Sequence, residues 1–328
     1  MPKILMLSVR EHEKAAIKDW EERNQVEVET VSWELHPETA PKVDGFDGLV
    51  VQQRSKIEAA VYPILKRANL KQITTRTAGY DMVDLKAAAA NGLVVTNVPA
   101  YSPRSVAELA LAHTMRLIRN LEIFDKRMEK QDFRWEGLQA AEIHSLTIGI
   151  IGAGRIGETS ARIFKALGAR VIAYDIKERE ELKDLLEYKS KEEVLAQADV
   201  ICLHVDLNPS SVNLIDEKAL SLMKPTAYLV NECRGPVVDT DALIAALEKN
   251  KIAGAALDTL TGEENFFNFN LAGKKLPSVQ LEKLRSFNNV ILTPHVGFYT
   301  NIAVQNMVDI SLNDVVTILN GGKSVHQV

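Results

Sequence analysis

Cysteine is scarce, with only Cys202 and Cys233 in 328 residues. Two thiols cannot build a disulfide framework, so a reducing compartment, the cytoplasm, is the expectation. Cys202 lies in the apolar run 200–203 and reads as a buried strand residue. Long hydrophobic runs are missing as well. The run 4–7 is too short for a secretory signal and leads into Glu11-His12-Glu13-Lys14. No stretch approaches the ~18 apolar residues of a membrane span, so no membrane partner is expected. Charge of one sign is not segregated either: 39 basic and 44 acidic residues are spread along the chain, for a net −5. Without a basic stripe a nucleic-acid partner is not expected. The acidic balance also repels anionic substrates weakly, so such a substrate needs a local cation. Low-complexity segments and short-period repeats are lacking too, and no metal is expected.

What is present is ordinary globular composition, 46% apolar and 25% charged, on a chain longer than one hydrophobic core usually supports. Two domains are therefore expected. Candidate strands at 3–7, 26–31, 48–51, 72–75 and 93–96 alternate with helical patterns such as 56–68 and 81–91, the second capped by Gly92. That alternation predicts parallel strands with helical crossovers. The stretch 97–103, Asn-Val-Pro-Ala-Tyr-Ser-Pro, ends this unit and opens a long helix, with Ser105 and Glu108 spaced as a capping box. His113 shares the apolar face of that helix and reads as a core or interface residue. A second series of strands is predicted at 147–151, 170–174, 199–203, 226–231, 252–257 and 290–292. Six parallel strands complete a dinucleotide fold. A last amphipathic helix, about 300–319, then crosses back to the first domain.

The second series opens on Gly152-Ala153-Gly154-Arg155-Ile156-Gly157, a G-x-G-x-x-G turn between a strand and a helix. In such a turn Gly152 permits the tight bend, Gly154 lets the backbone approach a pyrophosphate, and Gly157 allows close helix–strand packing. The helix N-terminus offers free N–H groups to the diphosphate. The next strand ends in Asp175, whose carboxylate can accept bonds from the adenosine ribose hydroxyls and repels a 2′-phosphate. NAD, not NADP, is the expected cofactor. The turn sits mid-chain, so another domain precedes it.

A nicotinamide site that reduces a 2-keto acid needs a cation for the carboxylate, a proton donor for the developing alkoxide and a group that tunes the donor. Three strand ends supply one of each: Arg234 after 226–231, Glu263 after 252–257 and His295 after 290–292. At these residues the chain resembles the D-2-hydroxyacid dehydrogenase family, in particular its lactic-acid-bacterium-type D-lactate dehydrogenase branch. The resemblance spans nearly the whole chain. It takes in 76–84 (Arg-Thr-Ala-Gly-Tyr-Asp-Met-Val-Asp), 97–103, the glycine turn, the three strand-end motifs, 268–289 and 294–300.

The resemblance implies a flavodoxin-like substrate (catalytic) domain, residues 1–100 plus 299–328, and a Rossmann NAD-binding domain, residues 101–298. It implies two crossings at 97–102 and 294–300 that act as a hinge and close the site. It further implies that Arg234 binds the substrate carboxylate, a task for which a bidentate guanidinium is suited. His295 is implied as the acid/base, with Glu263 as the carboxylate that stabilises its imidazolium. Gln52, Ala78, Gly79, Tyr101 and Tyr299 are implied on the substrate side. Arg155, Ile156, Val205, Ser211, Cys233 and Asp258 are implied as cofactor contacts, Asp258 toward the nicotinamide amide. His204 is read as cofactor-pocket wall in preference to a second acid, and Cys233 as wall in preference to a nucleophile. Asp206 stands where the family usually has Pro, and Thr259-Leu260 where it often has Val-Tyr; both differences bear on substrate preference. The reaction so implied is NAD-dependent reduction of a 2-keto acid, pyruvate first, to the D-hydroxy acid by a homodimer. A dehydrogenase for a bulkier keto acid (2-ketoisocaproate or phenylpyruvate) and a non-catalytic NAD-sensing protein of the same fold are the alternatives. The helix after Ser102 is the expected dimer interface.

Overall fold

The computed structural model describes residues 2–53 and 55–328, which fall into two compact units: Met1–Ser102 with Tyr299–Val328, and Pro103–Phe298. In the first unit β1 (Ile4–Met6), β2 (Val28–Thr30), β3 (Gly48–Val51), β4 (Gln72–Thr75) and β5 (Val94–Thr96) form one parallel sheet. Their order, β2-β1-β3-β4-β5, is that of a flavodoxin-like doubly wound sheet. Alternation along the strands decides the two layers. Ile4, Met6 and Val50 face a cluster with Trp20, Val304, Val308, Leu312 and Val315, whereas Leu5, Leu49 and Val51 face Tyr62, Leu65 and Val83.

Local chemistry trims the predicted helices. The segment expected at 81–91 is helical only over Leu85–Ala90, because the Asp84 carboxylate accepts from the N–H groups of Lys86 and Ala87 and starts it late. Gly92, at φ +73°, ends it, and Leu93 N–H returns to the Ala88 carbonyl. The segment expected at 56–68 is helical over Val61–Arg67. The helix Asn301–Leu319 corrects one expectation, since by length and composition it is apolar enough to cross a membrane. Its apolar residues are nonetheless core residues of the first unit, and a Cβ on Gly48 would lie 2.3 Å from Val315 Cγ1. Trp20 Nε1 donates to Asn313 Oδ1 at 2.9 Å, which joins this helix to Lys14–Asn24.

The second unit carries β6 (Thr147–Ile151), β7 (Arg170–Tyr174), β8 (Glu187–Tyr188), β9 (Val200–Leu203), β10 (Tyr228–Asn231), β11 (Gly254–Leu257) and β12 (Val290–Leu292). All are parallel, in the order β12-β11-β10-β9-β6-β7-β8. The six expected strands are therefore joined by a seventh. It is two residues long and sits on the sheet edge, too short to leave an apolar run in the sequence. Strand order reverses between β6 and β9, the crevice where dinucleotides bind in such sheets.

The helix Pro103–Ile118 belongs to this unit. The expected capping box does not form, because the helix starts at Pro103 and Ser105 is already inside it. Ser105 Oγ donates instead to the Gly297 carbonyl at 2.6 Å, and Glu108 pairs with Arg104. His113 is buried in the core, not displayed on the outer face.

Candidate active site

Every sequence-predicted residue of the second unit lies in a segment that follows the carboxyl end of a strand, except those of the helix that the glycine turn opens. Gly152, directly after β6, has φ +96°, and a Cβ there would sit 2.6 Å from the His204 carbonyl oxygen. A Cβ on Gly157 would lie 1.9 Å from the Gly152 carbonyl oxygen. Both positions thus accept only glycine: one for its backbone, one for the approach of the helix Arg155–Ala166. Gly154 differs. A Cβ there meets nothing within 4 Å, so open space lies over the start of the helix, where Arg155 is also exposed and Ile156 half-buried. Unpaired N–H groups facing open space suit a diphosphate. Asp175, after β7, accepts from Ala153 N at 2.7 Å and from Lys177 N at 3.0 Å, which fixes its carboxylate beside the turn. These residues fit a dinucleotide.

His204, after β9, bonds Ser160 Oγ through Nε2 at 2.9 Å, and its Nδ1 is buried without a partner among the described residues. Burial pushes its pKa down to about 4, so the ring is neutral near pH 7 and not an acid. Val205 follows it, half-buried. The Ser211 hydroxyl is engaged within its own loop, donating to the Asp206 carbonyl at 2.7 Å and accepting from Asn208 N at 2.9 Å. Cys233, after β10, has a buried thiol that burial pushes up to about 11, and Sγ donates to Asn231 Oδ1 at 3.0 Å. A thiol held in that state is no nucleophile.

Arg234 is placed by Asn231, whose Nδ2 donates to the Arg234 carbonyl at 3.1 Å, while the Arg234 guanidinium donates to the Cys233 carbonyl at 2.8 Å. The next residue, Gly235, brings this loop against the loop after β11: a Cβ there would lie 2.2 Å from the Leu260 carbonyl carbon. Beyond Leu260, Glu263 Oε2 accepts from Leu260 N at 2.9 Å, and Glu263 Oε1 meets His295 Nδ1 at 2.5 Å. His295 and Glu263 therefore form a hydrogen-bonded pair.

His295 holds φ +57°, the left-handed region that a side chain adopts only when its surroundings impose it. Asp258 imposes it. The Asp258 carbonyl accepts His295 N at 2.9 Å, Oδ1 accepts Thr293 Oγ1 at 2.6 Å and Val296 N at 2.9 Å, and Oδ2 accepts Gly297 N at 2.8 Å. The residue expected at the nicotinamide amide thus has both carboxylate oxygens engaged on the histidine loop. Neither Asn231 nor Thr293 is singled out by the sequence; their positions at strand ends beside Arg234 and His295 were the available signal.

Four predicted residues of the first unit follow the carboxyl ends of its strands. Gln52 follows β3, Ala78 and Gly79 follow β4, and Tyr101 follows β5. Asn97 Nδ2 donates to the Ala78 carbonyl at 2.6 Å and Thr77 Oγ1 to the Gly79 carbonyl at 2.5 Å. Beneath that loop Arg76, wholly buried, pairs with Glu13 at 2.8 Å. Tyr299 is half exposed, with its ring edge-on to His12 at 4.7 Å. The sequence reading passed over the Arg76–Glu13 pair.

Residues 111–297 match the model of the D-isomer specific 2-hydroxyacid dehydrogenase NAD binding domain. The chain belongs to the D-isomer-specific 2-hydroxyacid dehydrogenase family. It is 41% identical over 330 residues to the D-2-hydroxyacid dehydrogenase (NAD(+)) of Clostridioides difficile, covering 99% of each chain. Among solved structures it matches a D-lactate dehydrogenase from a Sporolactobacillus species at 64% identity and TM-score 0.87, over 99% of this chain and 98% of that one. It also matches D-2-hydroxyisocaproate dehydrogenase at 33% identity and TM-score 0.93, over 99% of each. The chain is accordingly an NAD-dependent dehydrogenase of 2-hydroxy acids, and its second unit is the family's NAD-binding domain.

Proposed function

We propose that this enzyme reduces pyruvate to D-lactate, with Arg234, Glu263 and His295 as its catalytic residues. The observation that carries the reading is the His295–Glu263 pair. Nδ1 faces a carboxylate at 2.5 Å, so the proton exchanged with substrate leaves from Nε2. When bound, reduced nicotinamide would supply the hydride to the carbonyl carbon. His295 gives its Nε2 proton to the carbonyl oxygen as charge develops there, and Glu263 stabilises the imidazolium beforehand. Arg234 holds the substrate carboxylate by a bidentate pair and supplies the local cation that an anionic substrate needs on a chain of net charge −5. Gln52, Ala78, Gly79, Tyr101 and Tyr299 are the proposed substrate contacts of the first unit. Arg155, Ile156, Val205, Ser211 and Asp258 remain proposed cofactor contacts.

Pyruvate is favoured over a bulkier keto acid by the 64% identity with a D-lactate dehydrogenase, against 33% with D-2-hydroxyisocaproate dehydrogenase. The enzyme is further proposed to be a cytoplasmic homodimer, its two cysteines being buried free thiols. A panel of keto acids ranked by kcat/KM with NADH tests the substrate: pyruvate is expected to lead, and a lead by 2-ketoisocaproate or phenylpyruvate overturns the choice. His295→Gln is expected to lower kcat by about 10²–10⁴-fold, and full activity in that variant overturns the mechanism.

A further inference from the structure

Behind the histidine loop lies a second buried acid–base pair, which the proposed reaction does not use. Glu232, at the end of β10, and His113, on the helix Pro103–Ile118, meet at 2.6 Å between Oε1 and Nδ1, with side chains 0% and 2% exposed. Glu232 Oε2 is buried and has no hydrogen-bond partner among the described residues. On its other side His113 Nε2 reaches Thr293 Oγ1 at 3.4 Å. The Thr293 hydroxyl hydrogen is committed to Asp258 Oδ1, so Thr293 can only accept from His113. Nε2 therefore carries a hydrogen, and a directed chain runs His113 Nε2–H to Thr293 O–H to the carboxylate that holds His295 in its left-handed backbone. A dry carboxylate with one unpartnered oxygen is costly as a lone anion. A single proton shared between Glu232 Oε1 and His113 Nδ1 removes that cost.

We propose that Glu232 and His113 are positioning residues of the acid–base step: a proton-sharing pair that fixes the His295 loop through Thr293 and Asp258, and whose charge sets how strongly the site favours the His295 imidazolium. The inference rests on His295 as the acid/base. The groups facing Glu232 are His113 from the helix, Cys202 from β9, Asp258 after β11, His295 after β12, and Cys233 beside it. Burial pushes the two thiols up to about 12 and 11, so neither competes for charge near neutral pH. Burial also raises the Glu232 carboxyl, to about 7, and His113 opposes that rise. The pair is neutral with its shared proton and anionic without it. The anion, facing His295, favours the imidazolium that reduction consumes.

Glu232→Gln preserves the shape and removes the charge. Loss of the buried anion is expected to move the alkaline limb of kcat/KM for reduction to lower pH by about half a unit. The Kd for NADH, read by fluorescence quenching, is expected to stay put. A limb superimposed on that of the unsubstituted enzyme overturns the proposal. His113→Gln provides the second arm, because without the imidazole Glu232 stays protonated and the limb must move the same way. His295→Gln in the same series separates the readings. A fully active His295→Gln enzyme overturns the acid–base assignment and this inference together. An inactive one beside unmoved limbs in the other two variants overturns this inference alone.

Discussion

At the scale of single residues, the chemistry rests on which polar atoms are already engaged. Glu263 uses one oxygen on Leu260 N and the other on His295 Nδ1, and so is both fixed and charge-complementary to imidazolium. Glu263→Gln keeps the size but loses the anion. Its kcat is expected to fall by about 10²-fold, and steady-state kinetics with NADH and pyruvate checks it. Asp175 is anchored by two backbone N–H groups beside the turn, where we propose that it accepts from the ribose and bars a 2′-phosphate. Asp175→Ala is expected to weaken kcat/KM with NADH by about tenfold, the worth of one charge-assisted bond, and to narrow the preference over NADPH; parallel assays with both cofactors read it. The residue scale also shows where sequence reasoning stopped. Arg234, Glu263 and His295 were legible because each ends a strand inside a short motif. His113 was read as a core or interface residue, which its burial now settles as core. Its partner Glu232 lies 119 positions away, and no periodicity links two residues that meet only when a helix crosses a sheet.

At the scale of elements, glycine carries the constraint. In the turn after β6 the helix Arg155–Ala166 begins so close to the strand that a Cβ on Gly157 has no room. Gly157→Ala is expected to lower stability by about 1–3 kcal/mol and to weaken NADH binding; thermal unfolding with and without NADH measures both. Most strand positions were legible from short apolar runs, since strands buried on both faces read as continuous hydrophobic sequence, whereas β2 (Val-Glu-Thr) and β4 (Gln-Ile-Thr-Thr) are polar in part. Only β8 escaped, being two edge residues. Helix starts were less legible: the Asp84 cap and the bond from Ser105 to the Gly297 carbonyl each depend on backbone geometry that composition does not report.

At the scale of the whole molecule, the helix expected to form the dimer interface turns its apolar face inward, with Val106, Ala110, His113 and Leu117 buried. Its outward positions, Arg104, Glu108 and Ala112, are charged or small. A homodimer is still the expectation: sedimentation equilibrium is expected to give twice the 36.4 kDa of one chain, and a monomeric mass at assay concentration overturns it.

The sequence by itself determined the two series of parallel strands, the dinucleotide turn, the acidic residue after the second strand of that series and the three strand-end groups. Each of these is written in a contiguous segment whose period or spacing follows from local backbone geometry. The tertiary structure alone decided which polar atoms are spent on one another. It turned Asp258 onto the histidine loop, buried Glu232 against His113, and placed an apolar last helix against the first sheet instead of leaving it exposed. Those outcomes follow from desolvation: once a polar group is buried it must find a partner, and that partner is whichever residue the fold brings within reach.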